Sequence, residues 1–216
     1  MTEIPVKHVL LYVHEDWELY KFPDIPVTPA RIQLRRMQTA AARYYGEDPN
    51  SVFIRYSSFP KKLDGLSTNH AGKALPSELI EYERKRRVSY REIFGEDRLL
   101  EFGYKPLPPV TKNEVAEMKD RFSQKGWVFD PGVTRFFVGG ENIEECVLNW
   151  ARAVTYALNI PPDRVTFVPG ICYTETESRA LIQAIATYGL LIDRVAILTA
   201  IHSIREKQAT RGRTGR

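Results

Sequence analysis

From Val133 to Glu206 the chain repeats one pattern: a short apolar strand, a turn of small residues, an amphipathic helix. VTRFFVGG runs into ENIEECVLNWARAVTYALN, RVTFVPG runs into TETESRALIQAIATYG, and RVAILTA closes the run ahead of IHSIRE. This alternation predicts βαβ units around a mostly parallel sheet, an α/β fold. Sheets of that kind take ligands at the carboxyl ends of their strands. Three such ends are visible: Gly139-Gly140-Glu141, Pro169 to Thr176, and Thr199 to Arg205.

The N-terminal segment carries the same rhythm. HVLLYV reads as a strand, Thr28-Pro29 as a helix cap and first position, ARIQLRRMQTAAARYYG as a helix stopped by Gly46, and SVFIRYS as a second strand. The loop EDWELYKFPDIPV is long for a connection of this type. Its length fits a functional loop, and Trp17, Leu19, Tyr20 and Phe22 equally fit an apolar flap.

Residues 58–132 have another texture. PKKLDGLSTNHAGKALP is turn-rich, SELIEYERKRRVSYREIFG is a charged helix, KPLPPV is extended, and TKNEVAEMKDRFSQKGW is a helix capped by Thr111 with Glu114. The expected organisation is therefore a first βαβ unit over 1–57 and a helical and loop insertion or lid over 58–132. The second half of the α/β domain then covers 133–206, and a basic flexible tail covers 207–216. Within Arg84-Lys85-Arg86-Arg87, the preceding Glu78, Glu81 and Glu83 predict a solvated face of i,i+3 and i,i+4 pairs.

At 216 residues and 43% hydrophobic, the chain is large enough for one substantial core. No apolar run approaches the roughly 18 residues that cross a bilayer, and VLLYV is too short for a signal-peptide core. The expectation is a cytoplasmic protein without membrane contact. Cys146 and Cys172 form neither a disulfide framework nor a zinc pattern. The net charge of +4 comes from the tail, where Arg205, Lys207, Arg211, Arg213 and Arg216 face only Glu206, so the remainder is balanced. That argues against nucleic-acid binding beyond weak tail contacts.

The strand ends carry the candidate chemistry. Gly139-Gly140 reads as a turn into a helix N-terminus, where free amides and the helix dipole suit an anion. The helix start Tyr173 to Arg179 pairs Thr174 with Glu177 as a capping box, while Thr174, Thr176 and Arg179 also suit a phosphate, ribose or carboxylate. After Thr199, His202 and Arg205 share one helical face, a proton-transfer group beside an anion clamp. The dinucleotide fingerprint, the P-loop and the serine-hydrolase elbow are all absent from the sequence. No dense metal-ligand motif occurs, and His14-Glu15-Asp16 at the first strand end is a weak lead.

In combination these ends resemble the YdcF-like family of unknown-function domains, which includes the SanA and ElyC types. Gly139-Gly140 stands at its glycine turn and Glu144-Glu145-Cys146 where Ser-Glu-Ala would be. LNIPPDRVTFVP matches the link, Thr174 or Thr176 the motif threonine, and LTAIHSIRE the last strand end. The likeness covers roughly residues 133–207, with Arg31, Arg35 and Ala40-Ala41-Ala42 extending it to the first helix. The family's asparagines and first glycine-rich turn are missing here. The resemblance implies a Rossmann-like three-layer sandwich and a small ligand resembling a nucleotide or S-adenosylmethionine.

The functional expectation is a small anionic or nucleotide-like ligand at the strand ends, held by Gly139, Gly140, Glu141, Thr174, Thr176, Glu177, Arg179 and Thr199. If a reaction follows, it is hydrolysis or group transfer on a phosphate-containing substrate, with His202 and Arg205 catalytic. The alternative is a non-catalytic interaction module that uses the insertion and the basic tail.

Overall fold

The computed structural model describes residues 3–103, 112–141 and 146–173. In chain order the strands are β1 (Ile4–Val6), β2 (His8–Val13), β3 (Ser51–Tyr56), β4 (Leu99–Phe102), β5 (Trp127–Phe129), β6 (Arg135–Glu141) and β7 (Val165–Tyr173). The helices are α1 (Trp17–Lys21), α2 (Pro29–Gly46), α3 (Ser77–Arg98), α4 (Lys112–Gln124) and α5 (Leu148–Ala157).

Five strands pair in parallel in the order β4-β3-β2-β6-β7. The chain starts in the middle, walks outward through β3 and β4, then returns to the other side of β2 with β6 and β7. This is a Rossmann-like topology, and its switch point lies between β2 and β6. A separate two-stranded parallel ribbon joins β1 to β5.

The period-two alternation of the central strand builds three layers. Leu10 and Tyr12 pack with Ala42 of α2, Phe53, and Tyr90 and Phe94 of α3. Val9, Leu11 and Val13 face the opposite cluster with Met118 and Phe122 of α4 and Trp150 and Val154 of α5. All five of these β2 residues are fully buried, each aliphatic one stabilising the fold by about 1.5–3 kcal/mol. Thr28 Oγ1 accepts from the Arg31 amide at 3.3 Å, and Pro29 opens α2 where no amide partner is needed.

Residues 58–132 do not form a purely helical insertion. Helix α3 packs on the sheet and β4 pairs with β3 from Phe53–Leu99 to Tyr56–Phe102. LLEF escapes a sequence reading because it is four residues long and starts where a charged helix ends. Gly95, at φ 69°, kinks that helix, and one further short turn, Glu96 to Arg98, leads into the strand at Leu99.

The expected solvated face at Arg84 to Arg87 splits in two. Arg84 and Lys85 pair with Glu81 on the surface, but Glu83, Arg86 and Arg87 are buried. Positions 79, 83, 86, 90 and 94 recur at core-facing spacing, so the helix turns three charges inward together with Leu79, Tyr90 and Phe94.

Over the carboxyl ends, Trp17, Leu19 and Tyr20 of α1 pack with Phe59, Leu63, Leu75, Leu79 and Ile80. The long loop after β2 is thus an apolar flap that places Asp16 and Glu18 next to the strand ends.

Candidate functional site at the strand ends

Gly139 and Gly140 do not form a turn. Both lie inside β6, opposite Tyr12 and Val13. A Cβ on Gly140 would sit 2.0 Å from the Val13 carbonyl oxygen, and one on Gly139 would meet Ile171 at 2.7 Å. Gly140 also holds φ 138°, beside a register irregularity between β6 and β7. Glycine is required here so that β2, β6 and β7 approach closely.

Glu141 ends β6 at the switch point and is 1% exposed. Its Oε1 accepts from Arg31 Nη1 at 2.7 Å and its Oε2 from the Glu18 amide at 3.0 Å. Arg31, itself 2% exposed, also pairs with Glu18. Burial and the nearby Asp16 push the Glu141 carboxyl up to about 8, outweighing the opposing pull of Arg31 and Arg86. Glu141 is thus a buried carboxyl raised well above the ordinary carboxylate range at the switch point of the sheet.

A second set of charges adjoins it. Arg55, in the middle of β3, donates from Nε to Glu15, from Nη1 to Glu101 and, at 2.8 Å, from Nη2 to Glu83. Glu83 also receives Arg86 Nη2 at 2.6 Å, Arg87 Nε at 2.8 Å and the Ser57 hydroxyl at 3.0 Å. Tyr90 donates its hydroxyl to Glu15 at 2.7 Å. Asp16 extends the second set to α2, accepting Arg86 Nη1 at 2.7 Å on one oxygen and Arg35 Nε at 2.9 Å on the other, and it acts on Glu141 through space. Ion pairs therefore run from Glu101 of β4 to Arg35 of α2, beside the separate Arg31–Glu141 pair.

The environment fixes these charges. Burial opposes the charge on Glu83, yet Arg55 and Arg86 hold its carboxyl well below the usual range. Burial likewise opposes the charge on Arg55, and Glu15 with Glu83 keep it protonated well beyond its ordinary pKa. Removing water from so many charges is costly, and only their mutual pairing offsets it.

The histidine after β2 behaves differently. His14 is 1% exposed, stacks on Trp17 with ring centroids 5.5 Å apart, and is lowered by burial to about 4. It is neutral at physiological pH. His14 and Asp16 both take left-handed backbone, φ 53° and 59°, which folds the chain sharply from β2 into α1. Glu15 and Asp16 are engaged by arginine and tyrosine, and among the described residues no group of three or more His, Cys, Asp or Glu forms that could hold a metal. Cys146 is buried in the core, and burial pushes Cys172 up to about 12.

Of the residues singled out from sequence, Gly139, Gly140 and Glu141 come together at the switch point. Thr174, Thr176, Glu177, Arg179, Thr199, His202 and Arg205 lie outside the described residues. Sequence reasoning missed Arg55 and placed Glu83 and Arg86 on a solvated face, while Glu15 and Asp16, a weak metal lead, pair with arginines instead. The signals for Arg55, Glu83 and Arg86 were present: an arginine inside the apolar run SVFIRY, and charges at core-facing positions of α3.

No protein-family model matches the chain, and no curated protein matches it. Among solved structures it is similar to the MAR1 ribonuclease of Caenorhabditis elegans, with 15% identity and a TM-score of 0.40 over 93% of this chain and 84% of that one. Among the described residues no helix is long and apolar enough to cross a membrane.

Proposed function

We propose that the chain is a YdcF-like α/β protein that binds a small anionic, nucleotide-like ligand at the carboxyl ends of its parallel strands. The observation carrying this reading is Glu141, a buried carboxyl titrating near pH 8 on Arg31 at the switch point between β2 and β6. While Glu141 keeps its proton, Arg31 faces one carboxylate, Glu18, and a phosphate competes with that single carboxylate for the guanidinium. When Glu141 ionises, it competes with that phosphate.

The described residues suit a phosphate better than S-adenosylmethionine. A sulfonium and an ammonium call for free carboxylates, whereas Glu15, Asp16, Glu83 and Glu101 are each held by arginine. If a reaction follows binding, hydrolysis or transfer at phosphorus fits, with Glu141 exchanging the proton and Arg31 holding developing negative charge. His202 and Arg205 complete the site in this proposal, with Thr174, Thr176 and Thr199 orienting the substrate.

The test is thermal stabilisation by nucleotides, sugar phosphates and S-adenosylmethionine, added in turn at pH 7 and pH 9. A phosphate-bearing ligand should raise Tm at pH 7 and much less at pH 9. His202→Ala should weaken that response. A Tm unmoved by every ligand at both pH values would favour a non-catalytic interaction module.

A further inference from the structure

Helix α2 is strongly basic. Between Pro29 and Gly46 it carries Arg31, Arg35, Arg36 and Arg43 and no Asp or Glu. Arg31 turns inward to the strand ends, while the others line a recess of about 460 Å³ between α2 and α3, with Ile32, Thr39 and Tyr82. Neither Arg36 nor Arg43 has an acidic partner among the described residues.

Arg35 is already positioned. Its guanidinium lies 3.9 Å above the centre of the Tyr82 ring, its Nε is tied to Asp16, and its buried Nη2 has no acceptor among the described residues. A guanidinium donor left without an acceptor favours the arrival of an oxyanion. The recess volume falls in the range of small-molecule sites. Ile32, 42% exposed, and Ala40 offer an apolar surface beside the charges.

We infer that this α2–α3 recess is a second ligand site, taking an organic phosphate whose dianionic head meets the arginines and whose flat apolar body lies against Ile32 and Tyr82. Three guanidiniums match the acceptor-rich phosphate. A second copy of the chain does not fit, because a twofold contact through this face would set arginines against arginines. The site is separate from the strand ends, although Asp16 touches both through Arg35 and Arg86.

Titration calorimetry with phenyl phosphate, inorganic phosphate and an acidic peptide tests the assignment. Phenyl phosphate should bind more tightly than inorganic phosphate, and the R36A/R43A variant should bind it at least about tenfold more weakly. Both arginines are exposed, so an unchanged Tm will show that the variant folds. Arg84→Ala, exposed on α3 and outside both the recess and the strand ends, should leave phenyl phosphate affinity unchanged. The inference is overturned if phenyl phosphate shows no binding up to about 10 mM or binds R36A/R43A as it binds the original chain. It is equally overturned if inorganic phosphate binds as tightly, or if only the acidic peptide binds.

Discussion

Arg31, three residues into α2, hydrogen-bonds at 2.7 Å to Glu141, the last residue of β6, with 110 residues of chain between them. The pair spans the point where the sheet reverses its strand order, so its ionisation is felt at the position where such folds receive ligands.

The first consequence is a pH dependence. Folded Glu141 keeps its proton to about pH 8, while in the unfolded chain it releases it near the ordinary 4.5. Between these values the folded state binds more protons, so stability falls as pH rises through that window. Glu141→Gln should lose this slope, and its Tm should overtake that of the original chain by pH 9. Melting curves from pH 5 to pH 9 check it, and parallel slopes would refute it.

His14 acts with the opposite sign. Unfolded, it takes up a proton near 6.5, while burial delays uptake in the folded state to about 4. Stability is therefore lost as pH falls from 6.5 towards 4. Asparagine tolerates the left-handed backbone at this position. His14→Asn should flatten the acid limb of a urea-denaturation series without shifting the limb above pH 7.

Glu83 is the most connected carboxylate, shared by Arg55, Arg86 and Arg87. Its removal leaves buried guanidinium charge uncompensated, a loss of about 3–5 kcal/mol. Glu83→Ala should show that loss in equilibrium denaturation at pH 7. Arg84→Ala on the exposed side of the same helix should leave stability nearly unchanged, because water and salt screen its pairs.

Gly140→Ala should be poorly tolerated. The added methyl has no room against the Val13 carbonyl, and the backbone angle is unfavourable to alanine. The expected loss is at least about 1–3 kcal/mol. Gly132→Ala, which meets only the Asp130 side chain at 3.2 Å, is the matched control. Equal melting temperatures would count against the tight β2–β6 contact.

The elements that periodicity can mark were legible before folding: HVLLYV, SVFIRY and RFFVGG are strands, and the Thr28 cap opens its helix. The parallel sheet follows from their alternation. Helical spacing alone also marked α3, but a charge is counted as solvent-facing unless its partner is known. The partners of Arg55 lie at Glu15, Glu83 and Glu101, on three other segments. Ion pairs of that reach leave no local pattern, so Arg86 and Arg87 read as surface charges. The glycines misled for a related reason. A pair of glycines signals a turn when seen alone, whereas Gly139 and Gly140 answer to Ile171 and Val13 on neighbouring strands.

The long sequence separation of these pairs also shapes synthesis. A nascent chain that has emerged only as far as β4 already carries Arg55 with Glu15, Glu83 and Glu101. Arg31 and the Glu18 amide must still wait for Glu141, which follows them by 110 and 123 residues. The flap over the strand ends therefore locks late, when β6 slots in beside β2, and any truncation upstream of residue 141 leaves that latch without its catch.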